Sequence, residues 1–225
     1  MTDELKEQLS EVKLQLRLSM NGAVSASMRE KGLHYRVNFG VELPRLKQIA
    51  KKFEKNRVLA QYLWNENVRE SKILAAFLMP VDEFLPEVAD IWVEDIRTQE
   101  IAELTTMNLF QYLPYAPSKA FQWIADGREY FQVCGFQLVA RLLAQKGDME
   151  ERVANEFLDQ AVAAFLSGSY AVKMAVMAAL RRYMQHSLEN AFRACRKVES
   201  CYESADDNAK SLYRFVSEEA QPWRE

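Results

Sequence analysis

The side chains best suited to chemistry in this sequence are cationic. Between positions 44 and 57, six basic residues, Arg45, Lys47, Lys51, Lys52, Lys55 and Arg57, stand against a single acid, Glu54. Lys47, Lys51 and Lys55 recur at i, i+4 and i+8, which on a helix makes a stripe able to grip phosphates. Further along, Lys173 precedes the pair Arg181 and Arg182, and Arg193, Arg196 and Lys197 form another cluster. Each group could contact a nucleic-acid backbone, and each could equally be a solvated helix face. Against them, residues 81–103 hold eight acids and one base, Arg97, so a surface built from that stretch would repel phosphate.

Other chemistries find less support. His34 and His186 are isolated, with no second ligand three or four residues away, so neither a metal nor a cofactor is expected. Cys134, Cys195 and Cys201 are an odd set without the paired spacings of a disulfide framework or zinc site, which points to a reducing cytoplasm. Cys195 and Cys201 fall six apart on one predicted helix and face different ways. Trp64, Trp92 and Trp123 sit among apolar residues at helical spacing and read as packing rather than as base-stacking platforms. Glu103 shares a predicted helix with Glu100, and the default state of such a glutamate is solvated.

The elements that must position these residues are helices. The chain has 225 residues, 49% hydrophobic and 27% charged, enough for one globular domain over 1–225 with a sizeable core. Only 7 glycines and 6 prolines occur, too few for a fold built from many tight β-turns. A formal charge of -3 supplies no global positive field, so contact with nucleic acid must use a local patch. The first twenty residues are charged throughout and predict no secretory signal, and no apolar run is long enough to span a membrane.

Leu5, Leu9, Val12 and Leu16 mark an N-terminal helix over 1–20. Residues 21–38 lose clear periodicity and read as a bent connector with one short helix. Pro44 then starts a helix whose apolar stripe is Leu46, Ile49, Ala50 and Phe53, carrying the lysines to about 57. Further helices are predicted over 57–65, 68–79, 83–94, 98–112, 117–125, 128–145, 149–166, 170–185, 188–202 and 206–218. Pro80, Pro114, Pro117, Gly127, Gly147 and Gly168 punctuate them, and Ser187 and Asp206 suit N-caps. YFQVCGFQLVARLL (130–143) and YAVKMAVMAALRRY (170–183) lie 40 residues apart and place small residues, Gly135 and Ala175, at the same offset. That period is of HEAT-repeat length. The expected fold is an all-α HEAT-like helical repeat solenoid, with residues 188–218 as C-terminal capping helices and a concave surface suited to an extended partner.

A family resemblance is carried by NFGVELPRLKQIAKKF (38–53), where glycine, proline and a basic amphipathic helix follow in order, and by LWNENVRESKILAAFLM (63–79), with Trp64, Glu70 and Lys72 at matching places. TQEIAELTTMNLF (98–110) and the two repeated segments fall where central repeats belong. Over roughly residues 28–185 the chain resembles the AlkD-like DNA alkylation repair family of HEAT-like repeat DNA glycosylases. Active members release cationic alkylated purines, which implies a carboxylate beside the sugar and aromatic rings around the lesion. By that resemblance the catalytic carboxylate falls on Glu103. The family's other site positions fall on Gln99, Val133 and Ala178, with an N-terminal tyrosine near Lys31, so none of the aromatic walls is present. Taken with the basic groups read from the charge pattern, the expectation is a monomer that binds DNA through Arg45, Lys47, Lys51, Lys52, Lys55, Lys173, Arg181 and Arg182, with weak or no base excision. Two alternatives stay open: an active alkylpurine glycosylase using Glu103, and a helical-repeat scaffold holding a protein partner.

Overall fold

The computed structural model describes residues 2–33, 35–146 and 149–223, so His34 and Gly147 lie outside the described residues. Thirteen α-helices and no strand occur among them. They pack as two compact units, one up to Leu113 and one from Pro114 onward.

The first unit contains α1 (Asp3–Leu18), α2 (Gly22–Glu30), α3 (Leu43–Ala50), α4 (Arg57–Asn65), α5 (Arg69–Leu78), α6 (Pro86–Glu94) and α7 (Gln99–Asn108), then a 3-10 turn, Phe110–Tyr112. Thr2, Asn21, Asn56 and Thr98 cap four of these helices by accepting from backbone amides three residues on, and Pro44 and Pro86 occupy first turns. Helix α4 pairs with α5, and α5 lies alongside α3 and α7. The core between them is aromatic: Trp64 and Trp92 stack with centroids 4.0 Å apart, and Phe84 meets Trp92 edge-on at 4.8 Å.

The second unit contains α8 (Ala116–Asp126), α9 (Glu129–Lys146), α10 (Glu151–Ser167), α11 (Tyr170–Met184), α12 (Leu188–Lys197), a 3-10 turn Glu199–Cys201, α13 (Asp207–Glu219) and a last turn Gln221–Trp223. Ser169, Ser187 and Asp206 are N-caps, and Gly127 ends α8 with φ 82°. Helix α9 packs along both α8 and α11, and the two repeated segments are these stacked helices, α9 and α11. Gly135 is what lets α9 approach α8. A Cβ there would lie 2.8 Å from the carbonyl oxygen of Ala120 and 2.7 Å from Ile124 Cγ1.

Several predicted helices are shorter than their periodicity suggested. The helix begun at Pro44 stops at Ala50, leaving Phe53 and Lys55 outside it, because Asn56 turns to cap α4 and like-charged lysines do not favour one helical face. The stretch 83–94 becomes helical only at Pro86, which fits a first turn and not an interior. The run 98–112 breaks at Leu109, where the Asn108 amide donates back to the Leu104 carbonyl at 2.6 Å and competes with the ladder. The run 188–202 ends at Lys197, so Cys195 is on α12 and Cys201 on the following turn. Trp64, Trp92 and Trp123 are buried, as packing residues. No helix among the described residues is long and apolar enough to cross a membrane.

Candidate nucleic-acid interface

The motif at 38–41 is a backbone junction. Gly40 has φ 68°, a conformation that favours glycine, and a Cβ there would overlap the carbonyl oxygen of Asn21. Asn38 accepts from the Gly40 amide at 2.8 Å, and Ser25 Oγ donates to the Asn38 carbonyl at 2.9 Å. Glu70, fully buried on α5, accepts from the backbone amides of Phe39 and Val41 at 3.1 and 3.2 Å. The segment is thereby tied to α2 on one side and α5 on the other.

Beside it lies a buried charged cluster. Arg69, 3% exposed, donates through Nε and Nη2 to both oxygens of Glu100 at 2.9 and 2.6 Å, and through Nη1 to Glu70 at 3.0 Å and the Val41 carbonyl at 2.9 Å. The Tyr35 hydroxyl donates to Glu100 at 2.6 Å. Burial works against charge on Glu100, but hydrogen bonds from Arg69 and Tyr35 outweigh it and hold the carboxyl below its ordinary range. Burial, reinforced by the bond to Glu100, raises the Tyr35 phenol well above its usual value. Glu100 is thus a structural anchor that helical spacing alone did not reveal. Next to it Lys72 sits 4.4 Å over the Trp64 ring, donates to the Trp64 carbonyl at 2.9 Å and pairs with Asp95.

The positions assigned by resemblance fall as follows. Glu103 and Gln99 share one face of α7, where the Gln99 amide donates to the Glu103 carboxylate at 2.7 Å; both are partly exposed. Lys31 is exposed at the C-terminal end of α2. In the second unit Val133 is fully buried within α9 and presents nothing to a ligand, whereas Ala178 is half-buried on α11.

The basic residues divide into paired and unpaired. Lys47, Lys51 and Lys55 are exposed and make no ion pair among the described residues. Lys51 ends α3 and Lys55 lies in the following loop, so the three are not one helical stripe. Arg45 donates to Ser19 at 2.9 Å and Lys52 to Gln15 at 2.9 Å, both uncharged partners. In the second unit Arg181 is held by Glu219 at 2.6 Å, Arg193 by Glu189 at 2.8 Å, and Lys197 by Asp159. Lys173 donates to Asn208 at 2.6 Å, and Arg182 contacts Gln185 at 3.4 Å. A further cationic feature escaped sequence reasoning: Lys13, Arg17 and Arg36 line a cavity of about 420 Å³ with the α4–α5 turn. Lys13 pairs there with Glu66 at 2.7 Å, while Arg17 and Arg36 are exposed without an acidic partner. Only Lys13 and Arg17, four apart on α1, were visible as a pair in the sequence.

A solved structure of "a new family of proteins related to the HEAT-like repeat DNA glycosylases with affinity for branched DNA structures" superimposes with a TM-score of 0.76 at 17% identity, over 92% of this chain and 93% of that one. The fold is therefore of the HEAT-like repeat type. No curated protein matches the sequence. Residues 12–222 match the family described as DNA alkylation repair enzyme, and with that span covering nearly the whole sequence the chain belongs to the DNA alkylation repair family.

Proposed function

We propose that this protein binds DNA, including branched DNA, through phosphate contacts and excises alkylated bases weakly or not at all. The observation that carries the reading is the set of exposed lysines, Lys47, Lys51 and Lys55, left without acidic partners in a chain of net charge -3. Exposed lysines without an ion pair are available to displace counterions from a phosphate backbone. The affinity for branched DNA stated for the structural relative supports the choice of substrate. Against excision stand the residues at the assigned positions. Glu103 is partly exposed and already bonded to Gln99, and Lys31, Gln99 and Ala178 supply no aromatic face for a cationic base.

A salt-titrated binding assay on duplex and four-way-junction DNA tests the reading. Affinity is expected to fall steeply with salt, and the triple substitution Lys47→Gln, Lys51→Gln, Lys55→Gln to flatten the log–log slope by about 2.7, at roughly 0.9 per phosphate contact. An unchanged slope overturns the assignment of these lysines. In parallel, release of 3-methyladenine and 7-methylguanine from methylated DNA is expected to match that of Glu103→Gln. Release by the wild type well above that variant would establish glycosylase activity instead.

A further inference from the structure

The exposed face of α13 carries residues at helical spacing that differ from the rest of the second unit: Lys210, Tyr213, Arg214, Ser217 and Glu218. Ala209, Leu212, Phe215 and Val216 take the opposite, buried face. Tyr202, just after the 3-10 turn Glu199–Cys201, leans over this face, and the five residues with Tyr202 and Gln221 line a cavity of about 470 Å³. Tyr202 is 64% exposed, so its ring is accessible from solvent. Its centroid lies 5.1 Å from that of Tyr213 with the planes tilted by 51°, so the two rings are not stacked face to face. Lys210 and Arg214, one helical turn apart, are exposed and make no ion pair among the described residues.

Open π faces flanked by unpaired cations are the combination that holds single-stranded nucleic acid, with the rings stacking on a base and the cations following its phosphates. We infer that this cavity holds an unpaired nucleobase of the DNA, stacked on Tyr202, with Lys210 and Arg214 on the adjoining phosphates. The volume falls within the ~300–1,000 Å³ of small-molecule sites, ample for one nucleotide. Glu218, the one acid in the lining, is an acceptor for an exocyclic base amine. The inference rests on the DNA-binding reading above and deepens it: branched DNA exposes unpaired bases at its junctions and flaps, and a perfect duplex does not.

The experiment uses the full chain and two DNAs of equal length, a fully paired duplex and a duplex with a short single-stranded flap carrying 2-aminopurine as the first unpaired base. Wild-type protein is expected to change the 2-aminopurine fluorescence on binding. Tyr202→Ala should abolish that change and weaken flap binding about tenfold, the scale of one lost base–aromatic stack, while duplex affinity is unchanged. Tyr202→Phe, which keeps the ring, should behave as wild type. Lys210→Gln with Arg214→Gln should flatten the salt slope for the flap by about 1.4, at roughly 0.7 per single-strand phosphate contact. If the protein binds duplex normally but the fluorescence is unmoved and Tyr202→Ala binds the flap as wild type does, this inference is overturned and the DNA-binding reading survives. If neither DNA is bound at low salt, both fall together.

Discussion

Glu100→Gln tests whether the buried cluster at Arg69 holds the first unit together. The substitution keeps the shape of the side chain but turns one of two acceptor oxygens into a donor. Arg69 then loses an acceptor for either Nε or Nη2, now at 2.9 and 2.6 Å, and the amide hydrogens of the new side chain face a guanidinium or the Tyr35 hydroxyl. Removing one member of a buried ion pair costs about 3–5 kcal/mol. Glu70 still partners Arg69, and the Glu100 side chain is 23% exposed, so solvent softens the loss to about 2 kcal/mol. At about 2–4 °C per kcal/mol for a chain of this size, the melting temperature should fall by roughly 4–8 °C. The effect has a pH signature. Because the folded carboxyl titrates below its unfolded value of about 4.3, its contribution is fully present above that pH and disappears as pH falls through the depressed folded value. The gap between wild type and Glu100→Gln should therefore be constant from pH 7 to about 5 and narrow progressively as pH falls below about 4.3. Urea denaturation followed by tryptophan fluorescence reads it, since Trp64 and Trp92 lie in the same unit. Glu103→Gln, on the same helix but bonded only to the neutral Gln99, is the control and should change stability by less than about 0.5 kcal/mol. A loss of the same small size for Glu100→Gln, or a gap that does not narrow in acid, would refute the assignment.

Two glycines supply further tests. Gly135→Ala should destabilise despite the roughly 1 kcal/mol that alanine gains over glycine inside a helix, because its Cβ would press on the Ala120 carbonyl at 2.8 Å and overpacking costs about 1–3 kcal/mol; denaturant midpoints measure the balance, and a net gain would show that α8 and α9 can separate freely. Gly40→Ala must adopt φ 68° with its Cβ against Asn21, so a loss above about 2 kcal/mol is expected by the same assay, accompanied by faster proteolysis of the 31–42 segment.

The helical architecture was legible because its signals are local. Ser187 and Asp206 cap the helices they were expected to cap, and the 40-residue echo between 130–143 and 170–183 marks two helices that stack. Helix ends were less legible, since Asn56 and Asn108 compete for backbone groups in ways that apolar spacing does not register. The charged side chains were least legible of all. Lys47 and Arg181 look alike in a sequence, yet only the first is without an ion pair, because Glu219 lies 38 residues from Arg181 and the fold alone brings them together. Glu100 and Glu103 are likewise indistinguishable by spacing, and their different roles follow from Arg69, 31 residues upstream of Glu100.

Most residues that hold this fold differ from the positions that the resemblance assigns to the family's site, although Val133, fully buried in α9, belongs to both. Gly40, Glu70, Arg69 and Gly135 are buried or conformationally constrained, and each ties one element to another through backbone amides or close approach. Lys31, Gln99 and Ala178 are exposed or half-buried, and among them Gln99 alone makes a side-chain hydrogen bond, to Glu103. Aromatic rings at these three positions could be exchanged for lysine, glutamine and alanine at little cost to stability, since surface substitutions away from special features shift it by about 0.5 kcal/mol or less. Substitution at these three positions is therefore decoupled from the core of the unit that carries each of them.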